Sequence, residues 1–329
     1  MSERKARIAA LGAGRMGRGI AHVFAFAGHD VALVDFKARG PGDSAALLEA
    51  ARGEIARNLG FLAALGVLDE GQATEVLGRI ACHPLAEAAR ALGAADFVFE
   101  AVPEVLEAKR DAFARLAPMI DPKAIIASTT STILVDKLAA LVAGPERFLN
   151  AHWLNPAHLM PLVEVSPGTA TAPETTAALK GLLEQAGKVP VTCAATPGYI
   201  VPRIQALAMN EAARMVEEGV ASAEDIDRAV RVGFGVRYAI LGLVEFIDWG
   251  GGDILYHATR HLAETLGSER FSSPPGVARN MAEGKLGMAS GQGYYDFRDR
   301  DVEAYQRERL ERFVALLRHL ELLPRPGGG

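Results

Sequence analysis

The sequence predicts an α/β fold, a doubly wound sheet of strands alternating with helices, followed by an all-α C-terminal domain. Three observations predict it. Short apolar runs alternate with Ala-, Leu- and Glu-rich stretches through the first 195 residues, the pattern of βαβ units on a parallel sheet. A glycine turn, Gly12-x-Gly14-x-x-Gly17, lies between the first apolar run and the first helical stretch. After Thr196-Pro-Gly198 the strand-like runs largely disappear and helical periodicity takes over. At 329 residues the chain exceeds the usual size of one hydrophobic core. The expected division is 1–195 for the sheet domain and 196–323 for the helical domain. Residues 324–329, Pro-Arg-Pro-Gly-Gly-Gly, form a tail without apolar residues to pack.

In chain order, residues 7–11 are an apolar run stopped by glycine, and 15–27 suit a helix with Gly28 at its C-cap. Residues 30–35, Asp-Val-Ala-Leu-Val-Asp, have four apolar residues at the centre and no polar alternation, which predicts a strand buried on both faces. Helices are expected at 44–65, 70–79 and 103–119, and strands at 80–83, 96–102, 124–128, 148–152 and 162–165, with 189–193 near the sheet edge. Helices are expected thereafter at 200–218, 224–232, 238–248, 252–266, 274–284 and 301–321, most of them separated by glycine-containing turns.

Composition excludes several classes of function. The net charge of −5 gives no general basic field, so neither nucleic acid nor an anionic membrane is an expected partner. Cys82 and Cys193 stand far apart and outside any metal-ligand spacing, so no disulfide framework and no metal site is expected. No apolar run reaches about 18 residues, and a cytoplasmic location is expected.

The glycine turn points to a dinucleotide. Gly12 permits the tight turn, Gly14 lets backbone approach a pyrophosphate, and Gly17 lets the helix pack on the sheet, with Arg15 and Met16 between them in the first helical turn. Such spacing alone is weak, but here it follows a strand, opens a helix and precedes a second strand ending in Asp35, 18 residues beyond Gly17. This is the Rossmann-like context. A carboxylate at that place accepts both ribose hydroxyls and repels a 2′-phosphate, which favours NAD over NADP, although Lys37 and Arg39 lie just beyond.

Asn150-Ala-His-Trp-Leu-Asn-Pro156 followed by Leu162-Val-Glu-Val165 carries the chemistry. It puts His152 at the end of one apolar run and Glu164 inside another, where a carboxylate needs a partner. If the two meet, Glu164 holds one imidazole nitrogen and leaves the other free to take a hydroxyl proton. A lone strand histidine is more often a satisfied core residue. Behind a dinucleotide fold, the pair reads as the base of a dehydrogenase.

From Gly12 to about Tyr295 the chain resembles the L-3-hydroxyacyl-CoA dehydrogenase family. The resemblance is carried by residues 12–17, Glu100-Ala-Val-Pro-Glu104 with Lys109, Ser128-Thr-Thr-Ser131, 152–155, Leu162-Val-Glu164, Pro197-Gly-Tyr-Ile-Val201, Asn210-Glu-Ala212 and 287–295. It implies NAD, His152 as general base, Glu164 as its orienting carboxylate and Ser131 hydrogen-bonded to the reacting oxygen. It further implies Asn155 near the reacting centre, Glu104 and Lys109 along the nicotinamide-side ribose, and a homodimer paired through the helical domain. Two departures concern the substrate. Pro202 stands where the family usually has a side-chain amide, and proline has no donor. Ala289 stands where relatives often place a lysine. The segments His152 to His158 and Gly235-Val-Arg-Tyr-Ala-Ile-Leu-Gly242 look like the branch of gulonate, carnitine and pyridine-carboxylate dehydrogenases, in which Arg237 and His158 become candidate substrate residues. The expected activity is reversible oxidation of an L-3-hydroxyacyl-CoA or related β-hydroxy compound. The alternatives are a dehydrogenase of a small free hydroxy acid or alcohol, and a non-catalytic NAD-binding structural protein.

Overall fold

A computed structural model describes residues 4–324. The expected tail lies outside the described residues except for Pro324. The chain divides into two compact units, Met1–Ala208 and Met209–Gly329.

The first unit runs β1 (Ile8–Leu11), α1 (Arg15–Phe26), β2 (Val31–Val34), α2 (Pro41–Ala64), α3 (Glu70–Gly78), β3 (Ile80–His83), α4 (Ala88–Leu92), β4 (Phe97–Glu100), α5 (Leu106–Leu116), β5 (Ile125–Ser128), α6 (Val135–Ala139), β6 (Phe148–Trp153), β7 (Leu162–Pro167), α7 (Pro173–Gln185) and β8 (Val189–Thr192). It ends in the first turns of α8 (Val201–Glu217). The sheet order is β3-β2-β1-β4-β5-β6-β7-β8. Neighbours are parallel except β6 and β7, which are antiparallel. The order reverses direction between β1 and β4, and such a reversal opens a crevice at the carboxyl ends of the strands.

Alternation along the strands feeds two cores, one on each face. Ile8 and Ala10 of β1 face one with Phe24, Leu33, Phe99 and Trp153. Ala9 and Leu11 face the other with Phe36, Val98, Phe113 and Phe148. That is why the strands read as unbroken apolar runs. Pro190, which has no N–H to give a second neighbour, lies in the edge strand β8.

The expected strands all form. Helix 103–119 shortens to α5, because residues 101–105 leave β4 as an irregular segment. Gly28 follows α1 one residue later than a cap, at φ +86°, with Ala27 as the cap itself. Helix α7 is not among the expected elements. It buries Thr175, Leu179, Leu182 and Leu183 on one face, but only after the loop-like Gly168-Thr-Ala-Thr-Ala-Pro173, which masks its start.

The second unit takes α8 onward through α9 (Ala223–Ala229), a π-helical turn Val230–Gly235, α10 (Val236–Ile240), α11 (Leu243–Gly250), α12 (Gly252–Leu266), α13 (Pro275–Ala282) and α14 (Val302–His319). The expected helix 238–248 breaks at Leu241, where the chain becomes extended, and restarts after Gly242, whose N–H donates to Glu245 at 3.0 Å. Asp248 fastens the segment after α13: its buried carboxylate accepts the N–H groups of Tyr294 and Tyr295 at 2.9 and 2.7 Å. Among the described residues no helix is long and apolar enough to cross a membrane, and no cluster of side chains suits a metal ion.

Candidate active site

The glycine turn has the shape a pyrophosphate needs. Gly12 has φ +103°, and a Cβ there would lie 2.7 Å from the Ala101 carbonyl oxygen. At Gly17 a Cβ would meet the Gly12 carbonyl oxygen at 1.8 Å, so helix and turn touch backbone to backbone. A Cβ at Gly14 would meet nothing within 4 Å. Gly14 is also the N-cap of α1 and offers no side chain to the first N–H groups, so that helix end keeps free donors for an anion. Arg15 is exposed beside it, and Met16 packs on the core.

Asp35 follows β2, which ends at Val34, and its carboxylate is engaged. It accepts the Ser44 hydroxyl at 2.8 Å and Arg39 Nε at 3.2 Å, and only 1% of the residue is exposed. Arg39, exposed just beyond the strand, covers this carboxylate.

Lys109 turns inward, and Glu104 is engaged at the surface above it. Lys109 is fully buried, with Nζ 2.8 and 2.9 Å from the two oxygens of Glu100, itself inaccessible. Ser128 and the Val102 N–H donate to the same carboxylate. Lys109, expected along the nicotinamide-side ribose, lies behind the surface here, its ammonium 3.5 Å from Glu104. Glu104 Oε1 accepts the Thr130 hydroxyl, the N–H groups of Ser131 and Thr132 at 3.0 and 2.9 Å and the Thr132 hydroxyl at 2.9 Å. Burial works against its charge, but these donors and Lys109 hold its carboxyl at about 2. A third of its side chain remains exposed.

His152 and Glu164 stand directly opposite each other in the antiparallel register of β6 and β7. Nδ1 lies 2.8 Å from Glu164 Oε2. Glu164 is wholly buried, and its other oxygen accepts the N–H groups of Ile200 and Val201, both at 2.8 Å. These are the first donors of α8, presented by Gly198 and Tyr199 at φ +83° and +46°. With its other oxygen filled by two backbone donors, Glu164 offers Oε2 to Nδ1, and a hydrogen on Nδ1 leaves Nε2 as the acceptor of the ring.

Tyr199 fixes the ring plane. Its ring stacks on His152 with centroids 4.8 Å apart and planes 14° apart. Its hydroxyl donates to Thr130 O at 2.8 Å and accepts from Asn150 Nδ2 at 3.1 Å. Burial pushes the phenol well above its ordinary range. Tyr199 and Asn150 are not among the expected site residues. Asn150 was legible, because positions 150 and 152 of one strand share a face. Tyr199 was not, since its contact with His152 crosses 47 residues of sequence.

Ser131 is exposed in the loop after β5, one residue beyond Thr130, and its hydroxyl neither caps α6 nor bonds elsewhere among the described residues. Asn155 is exposed two residues past β6, and His158 stacks on His22. In the second unit Arg237 is exposed, its guanidinium 4.6 Å from the Phe246 ring centroid.

A dinucleotide turn at the switch point and a carboxylate-held imidazole in the same unit define an NAD-dependent dehydrogenase acting on a secondary alcohol. Comparison with known proteins gives the family. A family model described as 3-hydroxyacyl-CoA dehydrogenase, NAD binding domain, matches residues 7–196, and the C-terminal domain model of the same family matches 198–297. The chain belongs to the 3-hydroxyacyl-CoA dehydrogenase family. It is 33% identical to a 5-formyl-3-hydroxy-2-methylpyridine 4-carboxylate 5-dehydrogenase of Mesorhizobium japonicum, over 95% of this chain and 98% of that one. It is 36% identical to a 3-hydroxybutyryl-CoA dehydrogenase of Bradyrhizobium diazoefficiens, over 89% and 95%. A crystal structure of a 3-hydroxyacyl-CoA dehydrogenase from Archaeoglobus fulgidus superposes with a TM-score of 0.76 at 34% identity, covering 97% of this chain and all of that one.

Proposed function

We propose that the protein reversibly oxidises an L-3-hydroxyacyl-CoA or a related β-hydroxy compound to its 3-oxo product, with His152 as general base. The observation that carries this reading is the His152–Glu164 pair: a buried carboxylate 2.8 Å from Nδ1, and an Nε2 without a protein partner among the described residues. NAD, when bound, accepts the hydride of the carbinol carbon. The chain's residues do the rest. His152 Nε2 takes the hydroxyl proton, Glu164 stabilises the imidazolium that results, and Ser131 and Asn155 hold the reacting oxygen. Gly12, Gly14, Gly17 and the free end of α1 fit the pyrophosphate, and Arg15 adds charge beside it. Asp35 meets the adenine ribose once Arg39 swings off it. Glu104 keeps an exposed oxygen for the other ribose.

A second reading is a free, carboxylate-bearing β-hydroxy substrate without CoA, with Arg237 and His158 as its determinants. Pro202, which supplies no donor where an amide is usual, favours it, as does the near full-length match to a pyridine-carboxylate enzyme. Steady-state turnover with 3-hydroxybutyryl-CoA, carnitine, gulonate and aromatic hydroxy acids separates the two. Failure of every CoA ester removes the first.

We also place the working protein in the cytoplasm as a homodimer, with a sheet domain to residue 195 and a substrate and pairing domain over 196–323. Helix α8 supports pairing: none of its 17 residues is buried, and Leu207 and Met209 are 71% and 64% exposed.

A further inference from the structure

Residues 154–161 join the strands that carry His152 and Glu164 and contain Asn155 and His158. Carbonyls turned away from solvent need donors. Two of them, Ala157 O and Met160 O, accept from a single ammonium, Lys188 Nζ, at 2.7 and 2.9 Å. Lys188 is 7% exposed and has no carboxylate partner among the described residues. It lies 5.9 Å from the ring centroid of Trp153, the residue after His152. Burial makes it a weaker base than an ordinary lysine. A buried ammonium bonded only to carbonyls of one loop acts as a brace for that loop.

The same loop is seated on α1, the helix that begins at the glycine turn. A Cβ at Gly19 would fall 2.8 Å from the Ala157 Cβ, so glycine is what permits this approach. Three residues along α1, the His22 ring stacks on His158, centroids 4.9 Å apart and planes 8° apart. His22 is 2% exposed, and its Nδ1 has no partner. Burial, then His158 and Lys188, lower its pKa to about 4. Burial and Lys188 lower that of His158 too, against the pull of Glu54. The charged groups around the stack are Lys188 before β8, Arg18 on α1 and Glu54 on α2, the last two paired at 2.9 Å. Both rings are therefore held neutral near pH 7.

We propose that Lys188, Gly19 and the His22–His158 stack form a clamp that sets the position of Asn155 relative to His152, so that these four act as positioning residues for the reaction. The clamp ties the reacting end of the site to the helix that carries the phosphate turn. It rests on the reading of His152 and Asn155 given above. The clamp also has a pH range. Histidines kept neutral hold the loop fully above their ordinary value of 6.5, and the hold is lost as pH falls toward about 4.

Two substitutions of one methyl group each test it. Gly19→Ala drives a Cβ into Ala157, and displacement of the loop lowers kcat roughly ten- to a hundredfold with the Kd for NADH unchanged. Adding Ala157→Gly removes the collision and restores kcat. An unchanged kcat in Gly19→Ala, or no restoration in the double variant, overturns the clamp. Hydrogen exchange of segment 154–161 in the full chain gives a readout independent of turnover. Its protection relative to the intrinsic amide rate falls in Lys188→Met but not in Lys188→Arg, and falls between pH 6.5 and 4 in the parent but not in a His22→Gln, His158→Gln double variant. Equal exchange in all four proteins also overturns the clamp. If Asn155→Ala leaves kcat intact, the reading of the reacting centre fails, whereas the exchange measurements still judge the clamp.

Discussion

At position 164 a carboxylate without solvent contact receives three N–H groups, one from His152 and two from the start of α8. Removing the imbalance of charge and donors must disturb all three. In Glu164→Gln one amide hydrogen pair has to face either the backbone donors or the imidazole N–H. That leaves a buried donor unmet, at a cost of roughly 1–3 kcal/mol in unfolding free energy, and kcat falls because the imidazole tautomer is no longer fixed. Denaturant melts alongside steady-state rates check both. His152→Gln removes the proposed base. The expected loss is ~10²–10⁴ in kcat with NADH affinity retained, measured by turnover and by fluorescence titration. A variant at 152 that keeps its rate shows that the proton goes elsewhere.

At the scale of elements, the glycine turn and the knot between β4, β5 and α5 have opposite sensitivities. Gly14→Ala meets open space in the protein and is expected to leave the melting temperature alone, but with the pyrophosphate seated on this turn as proposed its methyl obstructs that approach, and NADH binding is expected to weaken at least about tenfold, or 1.4 kcal/mol. Gly17→Ala, whose methyl collides with the Gly12 carbonyl, loses stability as well; equal stability of the two variants contradicts this assignment. In the knot, Lys109→Met leaves Glu100 buried without its counter-ion and is expected to cost about 3–5 kcal/mol, read by denaturant melts. Glu104 adds an acid dependence. Its carboxyl lies at about 2 when folded against an ordinary 4.5, so its stabilisation is complete above 4.5 and disappears as pH falls toward 2. Glu104→Gln should flatten the fall in melting temperature over that interval.

For the whole molecule, the apolar side chains of α8 are the basis of the proposed homodimer. None of the 17 residues of α8 is buried, and Leu207 and Met209 are its most exposed large apolar side chains. Light scattering is expected to give twice the chain mass, and Leu207→Glu with Met209→Glu to give a monomer. A monomeric parent contradicts the homodimer. Much of this organisation was legible beforehand. Residues 30–35 read as a doubly buried strand because both faces of β2 are covered, and the change in periodicity after Pro197 reflects the end of the sheet. Helix α7 and the break at Leu241 were not, since one hides behind a loop-like approach and the other depends on a local cap at Gly242.

By itself the sequence determined the sheet, the glycine turn and the identity of the His–Glu pair, because strand period, turn stereochemistry and a carboxylate in an apolar run are local constraints that residue order expresses directly. Only the tertiary structure decided the condition of the charges. It placed Arg39 over Asp35, drew Lys109 beneath the surface to Glu100, laid Tyr199 on His152 and set Lys188 against the loop of Asn155. Those are contacts between segments distant in the chain, and whether a charge meets solvent, ligand or a buried partner is fixed by what packs around it.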